Sequence, residues 1–403
     1  MKPNRVCGTA LALALVLGAS ALWGPPGAAA GAGAAPADGD AALYRLALAP
    51  GARGEAGLAR QRTRPFALLG VSWTDPSAEL GGTVEARTRD AATGRWSPWT
   101  ALEPVEPGLD GPRPGVRGST EPVWVGPSDG AEVRVRGADA LPAGLEVSLV
   151  DPGRDPVAPP QDSGPVPARP RTPAAPAVPG PPSTAPRPAV VPRIAWGADE
   201  SLNDEGPVYL PGGRIKAVFV HHTADARPYD CTQSAAIVRG IHVFHVRTNG
   251  WRDLGYNFLV DRCGTVFEGR QGGIDRPVRG AHTYGWNAES AGIAVLGDHT
   301  AAGASPAALA AVARVAAYKL GQYGGTLDGT TTLTAGATQT NRFGVSFTAG
   351  RAYPFRAVSG HRDGFATECP GDALYAQLDE IRTARPWPWP GVIPVVPTPA
   401  RTG

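Results

Sequence analysis

Two stretches hold the residues best suited to chemistry: Phe219-Val220-His221-His222-Thr223, and Gly360-His361-Arg362-Asp363-Gly364-Phe365-Ala366-Thr367-Glu368-Cys369-Pro370. A lone histidine at the end of an apolar strand reads as a hydrogen-bonded structural residue. Two imidazoles and a thiolate read differently, because they supply the three protein donors of a catalytic zinc site and leave a fourth position open. Sulfur also favours zinc over magnesium or calcium, which take oxygen ligands. His221, His361 and Cys369 are therefore the candidate metal ligands. They come from the end of one strand and from both ends of the loop between His361 and Cys369, so donor type rather than spacing carries this reading. The same residues leave a second chemistry open, with Cys369 as nucleophile and His361 as its base. Inhibition by thiol alkylation without loss of metal would mark that version, and sensitivity to chelators would count against it.

The elements that must position these donors follow from hydrophobic patterning. Ala217-Val218-Phe219-Val220 is a buried strand ending at His221, and successive side chains alternate faces, so His222 points away from His221. Ile237, Val238, Ile241 and Phe244 recur at helical spacing within Thr232 to Thr248. His242 and His245, at i and i+3 on that helix, read as an ordinary packed or surface pair. Gly255 to Asp261 and Thr265 to Glu268 form a β-hairpin, and Ala291 to Leu296 is a further buried strand. Ser305-Pro306 caps and starts a helix to Tyr323. The Thr- and Gly-rich stretch from Gly324 to Ala352 lacks apolar periodicity and reads as a long loop or loose hairpin. His299 is expected to be exposed. A short strand, Ala357 to Ser359, delivers His361, and Gly371 to Arg385 closes the domain as a helix. Mixed strands between helices make residues 193–390 an α/β domain.

Upstream, residues 41–152 are short apolar segments broken by Gly, Pro and Asp, with period-two alternation at Val84, Ala86 and Thr88 and again at Val133 and Val135. This predicts a smaller all-β, sandwich-like accessory domain. Trp96 and Trp99 lie near a turn, where they serve as core or as a sheet cover more often than as a carbohydrate platform. Residues 153–192 are rich in Pro, Ala and Arg and predict an extended spacer. Residues 391–403 predict a loose tail, like the Pro-flanked Trp387 and Trp389 before them.

Lys2 and Arg5, the apolar run Thr9 to Trp23 and Ala28-Ala29-Ala30 predict a secretory signal over residues 1–30. No other apolar run is long enough to span a bilayer, so the expectation is an exported protein, either free or associated with the cell wall. Among 403 residues, 38 basic and 36 acidic side chains give a formal net charge of +2. Lys2 and Arg5 account for that excess, and a neutral remainder gives no reason to propose nucleic acid. Cys7 would leave with the leader, and three cysteines remain. Pairing Cys231 with Cys263 and keeping Cys369 as a ligand accounts for the odd count; the other assignment is a free or intermolecular thiol at Cys369.

The words around these residues carry a resemblance. Phe219-Val220-His221-His222-Thr223-Ala224, Gly255-Tyr256-Asn257-Phe258, Glu268-Gly269-Arg270, Gly280-Ala281-His282, Gly360-His361-Arg362-Asp363 and Thr367-Glu368-Cys369-Pro370 occur in the order seen in the peptidoglycan recognition protein family. That family belongs with the type 2 zinc N-acetylmuramoyl-L-alanine amidases, related to the T7 phage lysozyme. The resemblance covers about residues 193–385. It implies a central mixed β-sheet with flanking helices, a zinc groove along one side, and a muramyl peptide of peptidoglycan as partner. It also implies hydrolysis of the amide joining muramic acid to L-alanine. By the same resemblance His221, His361 and Cys369 hold zinc and Tyr256 is the catalytic tyrosine. Thr367 stands where the phage enzyme has a catalytic lysine, so a positive donor is absent at that position. His222, His282 and Arg270 are expected in the substrate groove. The alternative is a non-catalytic recognition protein, although receptors of that kind typically lose the cysteine that this chain keeps.

Overall fold

The computed structural model describes residues 40–155, 180–203 and 205–385. The predicted signal segment with Cys7, most of the predicted spacer and the predicted tail lie outside the described residues.

Residues 42–151 are all β. The strands are β1 (Ala42–Ala47), β2 (Ala49–Pro50), β3 (Ala56–Trp73), β4 (Thr83–Asp90), β5 (Thr100–Ala101), β6 (Gly118–Ser119), β7 (Val123–Arg136) and β8 (Glu146–Asp151). They join one antiparallel sheet in the order β1-β8-β3-β7-β4-β5, with β2 and β6 also paired to β3. Hydrogen bonding is thus continuous instead of divided between two separate sheets. Register shifts along β3 and β7 mark the irregularities that bend long strands. Leu58, Leu69, Val71, Val84, Val133 and Val147 then meet in one apolar cluster.

The second part is α/β, as its patterning predicts. β9 (Ala217–His222), β10 (Phe258–Val260), β11 (Val266–Glu268), β12 (Ser290–Val295) and β17 (Val358–Gly360) form a sheet in the order β11-β10-β12-β9-β17. Only β10 with β11 is antiparallel; the other neighbours run parallel. Every residue of β9 is buried, as a strand covered on both faces requires. Val218 and Val220, with Ile293 and Val295, pack under the helix Pro306–Gly321. Ala294 and Leu296 face the helix Ser234–Val243 on the other side. Ser305 caps the longer helix by accepting from Ala308 N–H, as the Ser-Pro start predicts.

Three expectations need correction. The stretch Gly324 to Ala352 is an ordered hairpin, with β13 (Thr330–Thr334) on β16 (Ala352–Arg356) and β14 (Gln339–Thr340) on β15 (Ser346–Phe347). Its few apolar side chains, Leu333, Phe347 and Phe355, gather around Trp286, so cross-strand partners supply what linear periodicity does not show. The closing helix is two short ones, Asp372–Ala376 and Leu378–Thr383. Residues 180–192 of the predicted spacer pack on the α/β domain: Ser183 hydroxyl donates to Tyr318 O, and Val191 pairs with Phe267. A proline-rich segment can dock in this way because backbone and hydroxyl bonds replace the large apolar contacts it lacks.

The two parts share a core. Ala67, Leu68, Trp124 and Val150 of the β domain join Ile237, Val238, Ile241 and Phe244 of the α/β domain in one buried cluster. The segment between β5 and β7 reaches across as a strap. Leu109 packs on Trp251 and Ala281, Asp110 pairs with Arg270, and Asn287 donates to Leu109 O.

Candidate metal centre

Strand β9 places His221 at its buried end, beside Ala294 on β12 and flanked by β17. Strand β17 ends at Gly360, and His361 opens a short helical turn, His361–Gly364. The return to Cys369 is closed by Arg362, whose guanidinium binds Glu368 O and Asp372 and whose N–H donates to Cys369 O at 3.1 Å. These constraints bring the three donors together: one nitrogen from each of His221 and His361 and the sulfur of Cys369 lie within 4.8 Å of one another, all buried. Cys369 Sγ is 3.8 Å from His221 Nδ1.

The donor set fits a metal ion such as zinc. Burial, helped by the neighbouring imidazoles, pushes His221 well below the usual histidine range, which keeps it in the neutral form a ligand needs. Burial pushes the Cys369 thiol up, opposed by the His222 N–H that donates to the sulfur and aided by nearby glutamates. A cation among these donors would draw out the thiolate. His361 Nε2 is buried and meets Glu106 Oε1 at 2.9 Å, and a carboxylate on one ring nitrogen steadies an imidazole whose other nitrogen takes a metal. His282 Nδ1 lies 3.2 Å from His221 Nε2 and 3.0 Å from the Thr283 hydroxyl, so it holds the ring of His221 from behind.

His361 and Cys369 open into a cavity of about 330 Å³ whose lining also includes Tyr256, His222 and Thr367; His221 lies behind that wall. The Tyr256 ring sits 5.2 Å from that of His221. Burial raises its hydroxyl well above the ordinary tyrosine range, so it remains a donor. The Thr367 hydroxyl accepts from Cys369 N–H at 3.1 Å and steadies the ligand loop. His222 lines the cavity from the opposite face of β9, and its Nδ1 accepts from His299 N–H.

The remaining expectations divide. Neither Arg270 nor His282 is on the cavity wall: Arg270 is buried in its ion pair with Asp110 of the strap, and His282 is drawn behind His221. His299 is buried, contrary to expectation, with its ring nitrogens against Ala302 O and Leu296 O. His242 pairs with Asp253 at 3.0 Å and His245 accepts from Gly255 N–H, so both are packing residues. Cys231 and Cys263 form a disulfide. Trp99 lies on the cavity wall, with Arg87 and Arg134 over its ring.

Sequence reasoning missed Glu103, Glu106 and Glu121, which line the same cavity from the β domain. Glu106 Oε1 is 2.9 Å from His361 Nε2, and the Tyr256 hydroxyl donates to Glu121. Burial, with the charges of Glu106 and Glu103, pushes Glu121 up to about 8. Nothing local distinguishes these glutamates from other loop acids.

Residues 211–372 match the N-acetylmuramoyl-L-alanine amidase family. That part of the chain is similar to the type 2 amidase and peptidoglycan recognition protein family. Residues 29–176 match the Rv3811 N-terminal galactose-binding domain-like family. The human N-acetylmuramoyl-L-alanine amidase is 35% identical over 213 residues, 52% of this chain and 30% of that protein. Peptidoglycan-recognition protein SC2 of Drosophila melanogaster is 29% identical over 177 residues, 43% of this chain and 76% of that one. The solved Drosophila peptidoglycan recognition protein SA shares 27% identity, with a TM-score of 0.37, covering 48% of this chain and 92% of that one. The chain spans only 27% of the pig amidase and 30% of the human one. Among the described residues no helix is long and apolar enough to cross a membrane.

Proposed function

We propose that this chain is an exported, zinc-dependent N-acetylmuramoyl-L-alanine amidase acting on peptidoglycan. The observation that carries the reading is the convergence of His221, His361 and Cys369, the last two on the wall of a cavity that Tyr256 also lines. Export is supported by the Cys231–Cys263 disulfide, which suits an oxidising compartment, and by the leader-like first thirty residues. The division into an accessory β domain over residues 41–152, a spacer over 153–192 and an amidase domain over 193–390 is part of this proposal.

Zinc held by these donors would supply a Lewis acid and an activated water. The residues of the chain do the remainder. His282 and Thr283 fix the ring of His221, and Arg362 fixes the loop that carries Cys369. The Tyr256 hydroxyl, kept protonated by burial, would turn from Glu121 to donate to the oxygen that gains charge as the lactyl amide carbonyl becomes tetrahedral. Collapse breaks the carbon–nitrogen bond and frees the amino group of L-alanine. Thr367 contributes no positive charge; its hydroxyl serves the backbone of Cys369.

The test is the appearance of new L-alanine amino termini in purified peptidoglycan, with and without chelator and zinc add-back, for the chain and for Cys369→Ala. Activity that a chelator abolishes, zinc restores and the variant lacks is the expected result. Binding to the wall without new amino termini would replace the reading with recognition alone. Activity that resists chelation but yields to thiol alkylation would replace it with cysteine chemistry.

A further inference from the structure

Each of the three metal donors has a neighbour that holds it, and the neighbours do not all come from one domain. His221 Nε2 lies 3.2 Å from His282 Nδ1, which itself sits 3.0 Å from the Thr283 hydroxyl. The other ring nitrogen of His221, Nδ1, faces the Cys369 sulfur at 3.8 Å. That sulfur accepts from the His222 N–H at 3.4 Å. Both supports belong to the α/β domain. His361 is held differently: its Nε2 meets Oε1 of Glu106 at 2.9 Å, and Glu106 lies on the strap of the β domain between β5 and β7. This contact leaves Nδ1 of His361 for an ion, the same division of the ring that His221 shows.

Glu106 is built into this position. The side chains of His361 and Glu106 are only 5% and 6% exposed. Near the start of the strap, Val105 N–H donates to Ser119 O and Glu121 N–H to Glu103 O. At its far end Leu109 packs on Trp251 and Ala281, and Asp110 pairs with Arg270. Oε2 of Glu106 has no hydrogen-bond partner, and no lysine or arginine lines the cavity, so the imidazole is the group that this carboxylate meets. Burying a carboxylate against one ring costs free energy that the ring alone offsets only in part. A carboxylate behind a ligating imidazole has a use that justifies the cost: it selects the tautomer that frees the opposite nitrogen, aims the ring and makes the ligand more basic.

The geometry points to Glu106 as a positioning residue for the metal: through this one carboxylate the β domain orients His361 and so sets how tightly the α/β domain holds its ion. This rests on zinc as the ion of the reading above. The accessory domain then takes part in assembling the metal centre. Docking of the two domains and binding of the metal reinforce each other, because the strap that joins the domains also holds the ligand.

The experiment uses the full chain with Glu106→Ala, Glu106→Gln and, as a charge control, Glu103→Gln, which removes a negative charge from the same cavity. Zinc affinity is read by competition with a chromophoric chelator, ligand geometry by the visible absorption bands of the cobalt(II)-loaded forms, and folding by the thermal midpoint of the metal-free forms. Loss of such a partner costs about 10–100-fold in metal affinity. The expected result is a fall of that size for Ala and a smaller one for Gln, whose amide oxygen still accepts. Cobalt bands should shift in both, metal-free midpoints should stay near the parent's, and Glu103→Gln should bind zinc much as the parent does. An Ala variant that holds zinc as tightly as the parent overturns the inference. So does one that holds it more tightly, which would make Glu106 a competitor for the ring, or a Glu103→Gln loss as large as that of Glu106→Ala, which would make the effect one of charge alone. If the Ala variant does not fold, Gln decides, being equal in size to glutamate: parental affinity with parental cobalt bands overturns the inference. A parent chain that takes up no zinc overturns the amidase reading and this inference together. One that shows the Glu106 dependence but frees no L-alanine amino termini overturns the amidase reading and supports this inference.

Discussion

Phe244 is fully buried where the two domains meet, in a cluster with Leu68, Trp124 and Val150 of the β domain. Gly70 on β3 lies directly against it: a Cβ there would sit 2.5 Å from Phe244 Cζ and 2.7 Å from Cε2. If one core serves both domains, Phe244→Ala should open a cavity costing about 3–5 kcal/mol. With an unfolding entropy of about 2.1 cal/mol/K per residue over roughly 300 ordered residues, the single transition should move down by about 4–8 °C. Gly70→Ala crowds the same space from the other domain and should cost about 1–3 kcal/mol. Combined, the two changes should partly cancel, because the new methyl group enters the space the ring vacates; a coupling of about 0.5–3 kcal/mol is the scale for residues in contact. Scanning calorimetry on parent, single and double variants measures all of these, and a protease site placed within residues 156–179 adds a control. The parent should show one transition, and the two halves should stay together after the chain is cut. Two separate transitions, additive effects of the pair, or fragments that part on cutting would refute a shared core.

Other consequences follow from single sites. Asp253 is buried against Arg193 at 3.2 Å and His242 at 3.0 Å and also accepts from Gln271 N–H; because Arg193 keeps Glu200 as a partner, Asp253→Ala should fall at the lower end of the cost of breaking a buried pair, about 3 kcal/mol in urea unfolding. Burial acts to raise its carboxyl, but the His242 hydrogen bond and the Arg193 charge outweigh it and hold the group at about 2. A lowered carboxylate stabilises the folded state above its unfolded value near 3.8 and loses that contribution as pH falls toward 2; the parent should therefore lose more stability than Asp253→Asn between pH 4 and pH 2. Replacing both Cys231 and Cys263 by serine releases a crosslink spanning 32 positions and should cost about 3.7 kcal/mol by loop entropy, measured as a lower urea midpoint. Tyr256→Phe should lower kcat on muramyl tripeptide about 10²–10³-fold with zinc content unchanged; a KM effect alone would make the ring a binding surface only.

The sequence by itself determined the donors and the elements that carry them. Val218 and Val220 alternate with Phe219 and His221, Ser305-Pro306 announces a helix, and the words around His361 and Cys369 are local, so backbone periodicity and donor chemistry are written in adjacent residues. The folded arrangement decided what adjacency does not encode. Nothing near Leu333 or Phe347 reveals that a Thr-rich hairpin closes over Trp286, and nothing near His299 reveals that it is buried. Arg270 stands in a family-like word, yet the partner that draws it off the cavity wall, Asp110, belongs to another domain. Glu106 is the sharpest case: among loop glutamates it has no distinguishing pattern, and it becomes a cavity residue only because a shared apolar core and an anchored strap carry the β domain onto His361. Side-chain periodicity reports the face a residue shows to its own element, whereas the meeting of distant surfaces depends on the complementarity of both, which neither stretch carries alone.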